Sequence, residues 1–167
     1  RPVMISPIAI IDGMPFAAAA VLAFVPNYRI SAYGNVAAMA ATLVAGLSLL
    51  ATERTTGAYF IIDDMNIVFI VLNTLVGFTA SLFSASYIGH EIETGKLTPL
   101  FVRFYHAMFL SMMGAMNIAL TANNIGLMWV GLELATLITV VMVGIYRTPS
   151  ALEASWKYFI LGSVGIS

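Results

Sequence analysis

Between its first and last residues this chain is a succession of apolar runs, and that pattern leaves few folds open. Five complete runs and one partial run fall at about residues 5–26, 33–51, 65–87, 104–122, 125–146 and 152–167. Each complete run is about 19–23 residues long, which is what a helix needs to cross a hydrocarbon core of about 30 Å. A backbone in lipid must satisfy its own hydrogen bonds, so such runs predict helices. Composition agrees: 60% of the 167 residues are hydrophobic and only 9% are charged, too few charges to cover a water-facing surface. The predicted fold class is all-α, a polytopic transmembrane helix bundle in a single membrane domain, with the lipid bilayer as its first partner.

The same numbers exclude other chemistry. There is no cysteine, so disulfide, iron–sulfur and thiol chemistry are not available within these residues. A net charge of −1 offers no surface for nucleic acid. No phosphate-binding glycine loop or catalytic triad occurs. "HEIET" at His90 lacks the second histidine of a zinc helix. The expectation is a chain with no catalytic centre, metal or cofactor of its own. It opens on Arg1 and stops inside an apolar run; from Trp156 to Ser167 a helix would reach only about 18 Å. It therefore reads as part of a longer protein.

Local signals refine the layout. All seven tyrosines lie at or near the end of a predicted helix, as an interfacial aromatic belt requires. Arg29, Lys96, Arg103, Arg147 and Lys157 fall beside the first, third and fifth connections, whereas Arg1 and Arg54 fall on the other side. By the positive-inside rule the first group is cytoplasmic and the start of the chain is outside. Asp63 or Asp64 is placed to cap the third helix. "YIGHEIETGKLTPLFVR", with Gly95 and Pro99, reads as a polar, irregular loop with at most one helical turn. Ser150 and Glu153 have capping-box spacing for the sixth helix.

One residue stands out. Glu133 lies about eight residues into the fifth run and about thirteen from its end. An acid at that depth costs about 2.5–3.5 kcal/mol on insertion scales and is by default functional. Small residues suffice for helix packing, so the proposed role of Glu133 is a titrating carboxyl on an ion path. Thr136, one turn on, is placed either to bond that carboxyl or to bond back to its own helix. Lys157, at the start of the sixth run, is placed either to modulate Glu133 or to snorkel to the interface. Trp129 and the methionines of the fourth run read as packing, and Gly126 and Gly131 as close helix contacts. Asn117 reads as an interhelical hydrogen bond. Asp12 reads as a surface residue if the first helix starts at Pro15, and His106 as interfacial.

"SASYIGHEIETGKLTP", "TANNIGLMWVGLELATL" and "VGIYRTPSALEASWKYFILGSVGI" together carry a family resemblance. They resemble the antiporter-like, proton-conducting membrane subunits of the complex I and Mrp antiporter superfamily. They are most similar to the F-type membrane subunit of hydrogenase-4, of group 4 nickel–iron hydrogenases. Matching positions include Asp63, Tyr87, His90, Glu91, Gly95, Asn123, Asn124, Trp129, Glu133, Thr136, Tyr146, Glu153, Trp156 and Lys157. The resemblance implies that Glu133 is the proton-channel acid of the fifth helix. It implies an N-terminal part, about five and a half helices, of a fold of about fourteen helices built on inverted repeats. It also implies a channel lysine beyond Ser167, no redox group in this chain, and nickel–iron and iron–sulfur centres in partner subunits. A subunit of a sodium/proton antiporter and a non-conducting membrane anchor of a hydrogenase are the competing readings.

Overall fold

The computed structural model describes residues 6–146 and 148–166; Arg1 and Arg147, two of the counted cations, lie outside them. Six helices form an all-α bundle: α1 (Pro7–Leu22), α2 (Tyr28–Ser48), α3 (Asp64–Glu93), α4 (Pro99–Thr121), α5 (Ile125–Val143) and α6 (Pro149–Ile166). Single 3-10 turns extend α2 (Leu49–Ala51) and follow α5 (Gly144–Tyr146). Three of the spans, Tyr28–Ala51, Asp64–Glu93 and Ile125–Val143, are long and apolar enough to cross a membrane.

Caps explain where the helices start. Ser6, Asn27 and Asn124 each accept a backbone N–H of the following first turn. Asp63 makes a full capping box with Asn66: its carboxylate accepts from Asn66 N at 2.7 Å, and Asn66 Oδ1 accepts from Asp63 N at 2.9 Å. Asn66 Nδ2 also donates to Ile61 O at 2.6 Å and to Leu120 O at 3.2 Å, tying α3 to the end of α4. Asp63→Ala is expected to destabilise the subunit by about 1 kcal/mol, and Asn66→Ala by more, read as loss of thermal stability of the purified protein. The sixth helix is capped not by Ser150 but by Thr148, whose Oγ1 accepts from Ala151 N at 3.2 Å. Pro149 then occupies the first helical position, where its missing N–H is harmless.

One boundary differs from the sequence reading, and one that the sequence left open is decided. The stretch expected as an irregular loop is mostly helix, because α3 runs on to Glu93 and α4 begins at Pro99. The buried residues Ile67, Ile70, Thr74, Gly77, Ser81, Ile88 and Glu91 mark one continuous face, so the apolar stripe carries the helix through a polar sequence. It stops at Gly95, whose φ of 76° lets Lys96 N return to Glu91 O at 3.0 Å. The other boundary is α1, which begins at Pro7 and carries Pro15 inside it. Pro15 has no N–H for the carbonyl of Ile11. Asn117 Nδ2 on α4 donates to that oxygen instead, at 3.0 Å, which removes the reason for the helix to start later.

Packing rests on small side chains. The alanines of α1 and α2 (Ala19, Ala38) close on Leu22, Met39, Phe109, Leu110 and Met113. Without water to drive apolar surfaces together, close backbone approach is what holds such helices. A second cluster, Ile11, Ala45, Leu49, Ile62, Ile67 and Ile70, lies beside a hairpin of β1 (Thr55–Thr56) and β2 (Ile61–Ile62). The hairpin docks on the α4–α5 turn: Asn123 N donates to Tyr59 O at 2.7 Å and Asn123 Nδ2 to Gly57 O at 2.6 Å. Arg54 is held there by Asp64 at 2.6 Å. Arg29, Lys96, Arg103 and Lys157 lie at the other end of the bundle, the basic end.

Candidate functional site

Two sides of α5 do different things. Gly131, Ala135 and Thr139 recur at four-residue spacing and face α4. Gly131 abuts Ala115 and Ala119, and Thr139 Oγ1 lies 3.1 Å from Met112 Sδ. Glu133 follows Gly131 by two residues, about 200° around the axis, and so points away from α4. It shares the side that meets α6, where Thr136 packs on Gly162 and Val140 O accepts from Ser155 Oγ at 3.0 Å. Glu133 lies one turn from Thr136, toward the hairpin end, and is half-buried. It has no hydrogen bond or ion pair to any of the described residues.

The other expected site residues are not gathered around it. The Thr136 hydroxyl donates to Leu132 O, one turn back, at 2.9 Å, and keeps its lone pairs as acceptors. Lys157 Nζ pairs with Glu153 Oε1 at 2.7 Å on the exposed face of α6. Exposed pairs of this kind contribute at most about 1 kcal/mol. From the Thr136–Gly162 contact, Lys157 lies five residues toward the basic end and Glu133 three toward the hairpin end. The two charges are thus about 12 Å apart along the helix axes. Trp129 is 48% exposed on α5. Gly126 has only its own cap residue, Asn124, nearby, so of the two glycines expected to mediate contact only Gly131 does.

Two residues are placed differently from the sequence reading. Asp12 is not at the surface: it is 9% exposed, inside α1. Thr121 Oγ1 on α4 donates to its Oδ2 at 2.9 Å, while Oδ1 is buried without a partner among the described residues. His106 is not interfacial either: it is 1% exposed, two turns into α4, with Asn35 Nδ2 of α2 lying 3.1 Å from its Nδ1. Asn117 makes the interhelical bonds expected of it, accepting from Asn73 Nδ2 at 2.8 Å while donating to Ile11 O. Asn117→Leu strands both partners and is expected to destabilise the bundle by about 1–3 kcal/mol, measured as a lower unfolding temperature. The polar residues of α4 share one face with two core residues: Arg103, His106, Asn117 and Thr121 follow three- and four-residue steps through Leu110 and Met113. That spacing is the signal by which they could have been found.

Among the described residues no group of three or more His, Asp or Glu side chains gathers as a metal would require. No family model matches the chain. It is 52% identical, over 153 residues and 92% of its length, to a "Hydrogenase-4 component F homolog" of Methylacidiphilum infernorum. It is 32% identical over 127 residues, 74% of its length, to the "NADH-quinone oxidoreductase subunit N" of Francisella tularensis subsp. holarctica. A subunit of the same name from Campylobacter concisus is 27% identical over 81 residues. The chain spans 32% of the length of the first of these relatives and 26% of the second. With helices of membrane-crossing length and relatives of this kind, it is an integral membrane protein. It belongs to the antiporter-like membrane subunits that include hydrogenase-4 component F and the N subunit of NADH-quinone oxidoreductase.

Proposed function

We propose that the protein is a proton-translocating membrane subunit of a hydrogenase-4-like or complex I-like redox complex, with Glu133 as its proton-carrying group. The observation that carries this reading is the placement of Glu133. It is an acid in the middle of an apolar helix, turned away from the α4 contact and unpaired among the described residues. A carboxyl in that setting is costly to charge, and a neighbouring positive charge lowers the cost. Its protonation can therefore follow the arrival and departure of that charge. The roles proposed for Thr136 and Lys157 are secondary. The threonine holds a water beside the acid, and the Lys157–Glu153 pair collects protons at the basic end, which faces the cytoplasm by the positive-inside rule.

In this reading the redox chemistry belongs to partner subunits, with nickel–iron and iron–sulfur centres in a peripheral arm, and this chain supplies only proton movement. The names of the relatives favour a redox complex over a stand-alone antiporter. Glu133→Gln in the complete subunit, assembled in its complex and sealed in vesicles, is the test. Loss of proton transport with assembly retained supports the relay; transport at the wild-type rate rejects it.

A further inference from the structure

Between α2 and α4, toward the basic end, lies a polar cluster that the Glu133 path does not use. Ser31 and Asn35 stand one turn apart on α2, and Arg103 and His106 one turn apart on α4. Ser31 and Asn35 are 0% exposed and His106 is 1% exposed. Across the two helices Asn35 Nδ2 lies 3.1 Å from His106 Nδ1. Four polar atoms of the cluster are buried without a partner among the described residues: Ser31 Oγ, Asn35 Oδ1, Arg103 Nε and His106 Nε2. Buried groups left this way ordinarily have ordered water as their partner.

The geometry points to His106 as a second proton-carrying site, with Asn35 as the switch that accommodates both of its charge states. In the neutral ring Nδ1 accepts from the Asn35 amide and the proton sits on Nε2. A proton added at Nδ1 turns that nitrogen into a donor. Asn35 then needs only to rotate its amide, so that the otherwise unpartnered Oδ1 accepts from Nδ1–H. Loss of the Nε2 proton to a water molecule leaves the other neutral tautomer; the guanidinium of Arg103 has no acceptor and cannot take it. One proton has entered at one nitrogen and one has left at the other. An asparagine suits this task because its two terminal atoms are opposite in hydrogen-bonding sense and equal in reach.

The charged and titratable surroundings are few. On α4, Arg103 opposes a charged ring, and Tyr105 packs edge-on at 5.4 Å between ring centroids. α2 offers Tyr28, partly buried, and Arg29 and Tyr33, both exposed. The same end of α3 carries Tyr87, His90, Glu93 and buried Glu91, the last paired with Lys96 at 3.6 Å. α1 and α5 hold one acid each among the described residues, Asp12 and Glu133, both nearer the hairpin end.

This inference rests on the proton-transport reading for its use, but the titration arm of its test does not. Histidine-selective nitrogen-15 labelling of the complete subunit in its lipid-embedded complex resolves the His106 signal, assigned by its loss in His106→Gln. The expected result is a change of protonation state with pH, shifted toward lower pH by about one unit or more in Asn35→Leu, because the charged ring loses its acceptor. That titration persists in Glu133→Gln, and vesicle proton transport falls several-fold in His106→Gln with assembly intact. A His106 signal fixed in one neutral tautomer across the accessible range overturns the proposal, as does wild-type transport in His106→Gln. Should Glu133→Gln transport normally while His106 titrates, the Glu133 reading fails and this one stands.

Discussion

Proton uptake by vesicles carrying Glu133→Gln is expected to fall by more than about tenfold, within the usual effect of removing a proton-transfer group. Glutamine keeps the length and shape of the side chain and removes only its ability to ionise. The substitution should leave assembly intact for a structural reason. The packing of α5 on α4 runs through Gly131, Ala135 and Thr139, and Glu133 lies on the opposite side. No described residue loses a hydrogen bond. Glu133→Asp, which keeps the charge and draws it back by one methylene, should retain part of the transport. Removing the charge but not the shape thus separates a relay from a packing role. Wild-type uptake in the glutamine variant would mean that protons travel elsewhere, and failure to assemble would mean that the acid holds helices together.

Much of this architecture was legible in the order of residues. Runs of membrane-crossing length specified helices, because lipid permits few alternatives. A cap at Asp63 or Asp64 was legible; that it is Asp63, with Asn66 returning the bond, came from the structure. The depth of Glu133 followed from counting. What could not be read were decisions made between helices. Asp12 was ambiguous because the start of α1 turned on Pro15, and Pro15 is tolerated only through Asn117, more than a hundred positions away. His106 seemed interfacial because it stands near the start of the fourth apolar run. Its burial depends on Asn35, 71 residues earlier. The helical course of residues 88–93 was a different failure. The three- and four-residue spacing from Ile67 to Glu91 was visible, but polar composition, glycine and proline argued for a loop. Thr136 had two available partners and took the local one, the backbone of its own preceding turn.

Gly131→Ala is expected to part α4 from α5, and Gly131→Val to prevent their assembly. A β-carbon at Gly131 would lie 2.9 Å from Ala115 O, 3.0 Å from Ala119 N and 3.1 Å from Ala119 Cβ. None of these atoms can rotate away, because they belong to the backbone or to the stub of a side chain. Relief requires one helix to move as a body. A gap of about 0.5–1 Å already forfeits a quarter to a half of the van der Waals attraction between facing atoms. In lipid no hydrophobic gain compensates for it. The alanine variant should lose about 1–3 kcal/mol, the usual scale of overpacking, seen as a lower unfolding temperature and less assembled complex. Gly89, also helical but with nothing within 4 Å of its would-be β-carbon, is the control. Gly89→Ala should be neutral or gain up to about 1 kcal/mol from helix propensity. Equal behaviour of the two variants would show that the α4–α5 contact does not depend on close approach. Because Glu133 rides on the far side of the same helix, a displaced α5 should also lose transport while the acid itself remains. Rescue by Ala119→Gly in the Gly131→Ala background, which removes one of the crowding atoms, would assign that loss to position and not to charge.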